Sequence, residues 1–216
     1  MELKNRPNEI DRIKEVLSKK TAIIGISGPS GAGKDYLTQK AIEYFSNEGI
    51  QTFNVQMVTE REHRGAVETK ICVSPQEYDK LQRQGKLVGD HVNKVRYGYQ
   101  TDEIESALDH AQSVGGMVIL ELNPSKQKSF PSELKKKVGI DLTAWIGVET
   151  TLEQTRANME ERGEPEEVIK QRLQTMSDFV ESMERNKNIK LVNNGPQNRA
   201  NAHTDFINII KESILD

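Results

Sequence analysis

The apolar positions of this chain fall into two rhythms, one of strands and one of helices. Ala22-Ile23-Ile24-Gly25-Ile26 is a short, β-branched run of the kind that forms a strand buried on both faces. A glycine-rich stretch follows, and then Tyr36, Leu37, Ala41, Ile42 and Phe45 recur at helical spacing, predicting a helix over residues 34–47 that ends near Gly49. Upstream, Ile10, Ile13, Val16 and Leu17 share one face of a helix over residues 8–19, with Asn8 as its N-cap. Such a helix more commonly packs on its own core than on a second copy.

Downstream the alternation continues. Residues 51–58 predict a second strand, 75–84 a short helix, and 86–95 an extended segment leading into Arg96-Tyr97-Gly98-Tyr99. Thr101-Asp102-Glu103 opens a helix that Gly115-Gly116 stops, and Met117 to Leu122 is a buried strand with Glu121 near its C-terminal end. A polar stretch over 123–137 follows, in which Lys135-Lys136-Lys137 reads as a solvated helix end. Strands over 142–148 and 189–193 and helices over 151–161, 166–185 and 204–215 complete the pattern. Strands alternating with helices predict one α/β domain, a three-layer sandwich with a parallel central sheet.

Composition narrows the function classes. Charged residues make up 29% of the 216 positions, the net charge is −3, and the two signs are interspersed, so no broad cationic face for nucleic acid is expected. A single cysteine, Cys72, excludes an intramolecular disulfide, fits a reducing compartment and reads as a half-buried strand residue. His63, His91, His110 and His203 are scattered without metal-ligand spacing. No apolar run approaches a membrane span, and Met1-Glu2-Leu3-Lys4-Asn5 lacks a signal-peptide core. The expectation is a soluble, cytoplasmic protein, monomer or homodimer, with neither membrane nor nucleic acid as partner.

The candidate chemistry lies between the first strand and its helix. Gly28-Pro29-Ser30-Gly31-Ala32-Gly33-Lys34 fits G-x-x-x-x-G-K, in which glycines turn backbone N–H groups toward phosphate oxygens and the lysine reaches the β and γ phosphates. The positive end of the following helix points at the same spot. Where the motif calls for a Ser or Thr ligand to Mg²⁺, the chain has Asp35. A carboxylate is a harder, charged ligand; without metal it would oppose a phosphate charge at 4 Å by about 4 kcal/mol at an effective dielectric near 20. Asp35 is therefore expected to make nucleotide binding unusually metal-dependent or to impair the site, unless it simply stabilises the first helical turn.

Several landmarks in order resemble guanylate kinases and related phosphate-loop nucleoside monophosphate kinases. They are the loop itself, Thr59-x-Arg61-x-x-Arg64, Tyr97-Gly98, Val118-Ile119-Leu120-Glu121, Arg162-Gly163 with Arg172-Leu173, and Leu191-Val192-Asn193. The resemblance implies ATP and Mg²⁺ as cofactors, with Gly28, Ser30, Gly31, Ala32, Gly33, Lys34, Asp35 and Asn193 holding the nucleotide. It implies that Arg61, Arg64, Asp90 and Tyr97 bind the acceptor, that Asp35 and Glu121 bind the metal, and that Lys34, Arg162 and Arg172 stabilise the transferred phosphoryl group. The corresponding organisation is an N-terminal helix (1–20), a phosphate-loop core (21–58 and 101–154), an acceptor-binding region (59–100), a lid (155–175) and a C-terminal part of the core (176–216).

The departures from that family concern the base. Its guanine-reading serines are replaced by Met57 and Val58 before the first arginine and by Tyr99 after Tyr97-Gly98, and Asn158 stands where a lid arginine is expected. The phosphate grip is thus retained while the base readers change. The expected partner is a small nucleotide or phosphorylated metabolite, with GMP the first acceptor to try. The alternatives are a sugar phosphate such as a ribose bisphosphate, or a binding module with impaired catalysis.

Overall fold

The computed structural model describes residues 7–60, 70–92, 95–122 and 130–216. In chain order the first half comprises α1 (Glu9–Lys19), β1 (Ala22–Ser27), α2 (Lys34–Asn47), β2 (Thr52–Asn54), β3 (Val58–Thr59), β4 (Ile71–Cys72), α3 (Pro75–Arg83), β5 (Leu87–Val92) and β6 (Val95–Gln100). The second half comprises α4 (Thr101–Val114), β7 (Met117–Glu121), α5 (Phe130–Val138), β8 (Ala144–Glu149), α6 (Leu152–Glu161), α7 (Glu166–Gln174), α8 (Met176–Arg185), β9 (Ile189–Asn193) and α9 (Arg199–Leu215).

Five parallel strands in the order β2-β7-β1-β8-β9 form the central sheet. Alternate residues of β1 face opposite layers, as the strand period requires. Ile24 and Ile26 pack with Ile13 and Leu17 of α1, Leu37 and Phe45 of α2, and Phe206 and Ile210 of α9. Ile23 faces the other layer, where Ile104 of α4, Leu134 of α5 and Met183 of α8 meet Val118, Leu120 and Trp145. Fully burying a side chain of this size contributes about 1.5–3 kcal/mol, so both layers are needed to hold the sheet. The expected parallel α/β sandwich is the observed one.

Helix α1 lies in this core rather than presenting its apolar face outward. Asn8 accepts the Asp11 N–H at 2.8 Å, Ile13 and Leu17 are fully buried, and Glu9 pairs with Lys211 of α9. Cys72 is, as expected, a half-buried strand residue with a free thiol.

Several boundaries differ from the pattern-based expectation. The alternation over 51–58 is divided between two sheets, because β2 stops at Asn54 and β3 pairs elsewhere. The second sheet, β4-β3-β6-β5, contains a β5–β6 hairpin where one extended segment was expected. Helix 166–185 is interrupted at Thr175, whose hydroxyl donates to the Arg172 carbonyl at 3.1 Å. The closing helix starts at Arg199, not 204, and the 142–148 strand starts at Ala144. Lys135 and Lys136 are exposed in the last turn of α5, whereas Lys137 donates to the Leu87 carbonyl at 2.6 Å. Among the described residues no helix is long and apolar enough to cross a membrane.

Candidate phosphate-binding site

Parallel register builds the site. Ile26, the last residue of β1 but one, lies opposite Glu121 at the end of β7, so the phosphate loop and this carboxylate leave the sheet side by side. That is the ligand edge of an open α/β sheet. The loop turns into α2 through Gly33, whose φ of 88° is left-handed and whose absent Cβ would lie 2.3 Å from Asn194 Nδ2. Both conditions demand glycine.

The loop is supported from behind. Asn194 donates to the Ala32 carbonyl at 2.7 Å, and Trp145 Nε1 donates at 2.7 Å to Ser27 Oγ, which donates in turn to the Leu122 carbonyl at 2.8 Å. Lys34 folds back over the loop, its ammonium donating to the Gly28 and Pro29 carbonyls at 2.9 and 3.1 Å. The same ammonium stands 3.4 Å from Glu121 Oε1, while Lys70 approaches Glu121 Oε2 at 2.6 Å. One carboxylate thus bridges two cations.

Burial pushes the Glu121 carboxyl up, but the charges of Lys34 and Lys70 and their hydrogen bonds outweigh it and bring it down to about 2. A folded-state value below the unfolded one means that ionised Glu121 stabilises the protein above about pH 4.5 and that this contribution is lost as pH falls toward 2. The Tm difference between wild type and Glu121→Gln is therefore expected to be largest near pH 6 and to shrink steadily below pH 4.5. Thermal unfolding across that range checks it, and a gap independent of pH would contradict it.

Tyr99 fixes the backbone beneath this carboxylate. It is fully buried, accepts the Glu121 N–H at 2.6 Å and donates to the Glu121 carbonyl at 3.0 Å. Burial and the nearby Glu121 charge push its phenol well up, which keeps the donor proton in place. In front lies a cavity of about 350 Å³ lined by Lys34, Asp35, Gln39, Asn54, Lys70 and Glu121, with Met57 and Ile42 among its apolar walls. Asp35 is exposed on the first turn of α2 and faces this cavity.

Helices α6 and α7 rest on the outer side of the loop. Asn158 donates to the Gly31 carbonyl at 2.7 Å, and Arg172 reaches Ser30 Oγ at 2.7 Å and Glu164 at 2.5 Å. Arg156 pairs with Glu160 within α6 and ties that helix to α7 through Glu166.

The remaining expected site residues are placed less centrally. Arg162 caps α6 and is exposed. Asn193 is exposed and its side chain accepts the Gly195 N–H at 2.8 Å; the neighbouring Asn194 is the buried one that supports the loop. Tyr97 is half-buried against the apolar layer beneath α4, and its carbonyl accepts from Tyr78 at 2.7 Å. Asp90 lies opposite Tyr97 in the hairpin register. Arg61 and Arg64 lie outside the described residues.

Lys70, Asn194 and Arg96 were not singled out by sequence reasoning. Arg96 binds Glu60 and Asp79 and lies over the Tyr78 ring at 4.6 Å, clamping β6 to the end of β3 and to α3. None carries a local motif; their partners are distant in sequence.

Sheet order, loop and crossover together define a phosphate-loop α/β fold of the guanylate-kinase-like class. A search of solved structures aligns the chain with a guanylate kinase from Anaplasma phagocytophilum at a TM-score of 0.61, covering 91% of this chain and 88% of that one at 14% identity. No protein-family model and no curated protein matches. The shared property is the fold.

Proposed function

We propose that this protein transfers the γ-phosphoryl group of ATP to a small phosphorylated acceptor. The observation that carries the reading is Lys34, held at the mouth of a strand–loop–helix cradle with Glu121 beside it and a cavity in front. In this reading an acceptor phosphate oxygen attacks the γ-phosphorus as the bond to the β-phosphate oxygen breaks, and ADP leaves. Lys34 exchanges its two loop carbonyls for phosphate oxygens, which bind an ammonium more strongly because both partners are charged. Arg172, already on Ser30, supplies a second cation at the loop.

Two carboxylates facing one cavity suit Mg²⁺, which usually takes one or two carboxylates and completes its shell with phosphate and water. Asp35 and Glu121 would hold it. When bound, it would neutralise charge on the β and γ phosphates.

The acceptor is read as GMP or another nucleoside monophosphate, with a sugar phosphate as the second reading. That second reading is favoured by Tyr99. At the place where the resemblance calls for a base-reading serine, its hydroxyl is engaged with the Glu121 backbone. A site built to hydrogen-bond a base rejects analogues by about 10⁴–10⁵, so one without those groups should discriminate far less. A coupled ADP-release assay with Mg²⁺ and ATP, run across the four nucleoside monophosphates, ribose 5-phosphate and ribose 1,5-bisphosphate, should show turnover with at least one. No turnover with any of them, in a protein that binds ATP, would leave the impaired binding module.

A further inference from the structure

We propose that Lys70 binds the phosphate of the acceptor, with Glu121 as the counter-ion it holds until that phosphate arrives. This rests on the phosphoryl-transfer reading above. Lys70 immediately precedes β4, in the second sheet, yet its ammonium crosses to the central sheet and meets Glu121 at 2.6 Å. A lysine with no inward role normally runs its stem along the surface and leaves its charge in water. Here only 16% of the side chain is exposed, close to the 12% of Lys34.

Lys34 alone would neutralise Glu121, and Lys70 makes the shorter contact of the two. A carboxylate shared by two ammonium groups, one from the first turn of α2 and one from just before β4, marks where two anions meet. The Lys34 side belongs to the donor, whose triphosphate the loop and α2 receive. Lys70 lines the same cavity as Lys34 and Asp35, and beyond it the walls are Asn54, Gln56 and Gln39 with the apolar Met57 and Val55. The cavity volume of about 350 Å³ lies within the range of small-molecule sites. A dianionic phosphate competes well with one shared carboxylate for an ammonium, and Glu121 keeps Lys34 as its partner when Lys70 turns away.

The test is a comparison of wild type, Lys70→Met and Lys70→Arg by steady-state kinetics with whichever phosphorylated acceptor is turned over. Calorimetry of the ATP analogue, and of GMP and ribose 5-phosphate in its presence, accompanies it. Losing one charge-assisted contact should raise the acceptor KM of Lys70→Met about ten- to hundredfold. It should change kcat less than threefold and leave ATP-analogue affinity within twofold, and Lys70→Arg should recover most of the loss. An unchanged acceptor KM in Lys70→Met, or a parallel fall in ATP-analogue affinity, overturns the assignment. If wild type binds GMP or ribose 5-phosphate without turning it over, the phosphoryl-transfer reading fails, and Lys70 is judged by whether Lys70→Met loses that binding. If wild type neither binds nor turns over an acceptor, both fail.

Discussion

Lys34→Ala is expected to lower turnover by about 10²- to 10³-fold, the range seen when one preorganised cationic or hydrogen-bonding group is removed from a transition state that gains charge. The side chain is 12% exposed and is held over the loop by the Gly28 and Pro29 carbonyls, so its ammonium is already positioned before any ligand arrives. Its removal leaves Glu121 paired with Lys70 rather than as an unpaired half-buried charge. Folding should therefore survive, with a Tm close to wild type. Kinetics and thermal unfolding on the same preparation check the pair of expectations. Full activity in Lys34→Ala would remove the loop from the chemistry, and partner binding that persists without activity would favour the binding-module alternative.

Gly33→Ala should be damaging for a different reason, through the backbone. An alanine at φ 88° carries about 1–2 kcal/mol of left-handed strain, and its Cβ would sit 2.3 Å from Asn194 Nδ2. Asn194 must then move and release the Ala32 carbonyl, whose burial makes the lost hydrogen bond cost a further 1–3 kcal/mol or so. For a chain of this length a total of about 3 kcal/mol corresponds to a Tm lowered by about 6–12 °C. ATP affinity should fall with it, since the same turn aims the loop N–H groups. Asn194→Gly alone loses the hydrogen bond without the strain, and should unfold between wild type and Gly33→Ala. A double variant Gly33→Ala, Asn194→Gly that unfolds well below Gly33→Ala would show that Asn194 keeps its bond to Ala32 beside the new methyl and that the collision is not the cause.

What the sequence made legible was what neighbouring residues decide. The run Ala22 to Ile26, the glycines after it and the helical spacing of Leu37, Ala41 and Phe45 are contiguous, and each constrains the next. Gly115 stops α4 because a left-handed residue at φ 66° ends a helix wherever it occurs. The break at Thr175 carries no glycine or proline and left no such mark. Alternation over 51–58 gave no sign of a change of sheet, since Phe53 and Val55 face one apolar layer and Val58 another.

The site residues divide in the same way. Lys34 and Glu121 are placed by the loop and by a strand end. Lys70 next to a charged stretch looks like any solvated lysine, and its partner is 51 residues away. Asn194 was passed over for Asn193 because a one-residue difference at a strand end reverses which side chain points inward, and its acceptor, Ala32, is 162 residues distant.

Tyr99 belongs to the second sheet by strand and to the central sheet by hydroxyl. Rotating one sheet against the other by separating them at this point would break two hydrogen bonds and strand a phenol in an apolar interior. The two sheets are thus riveted together directly beneath the carboxylate, with the Lys70–Glu121 pair as a second tie above it.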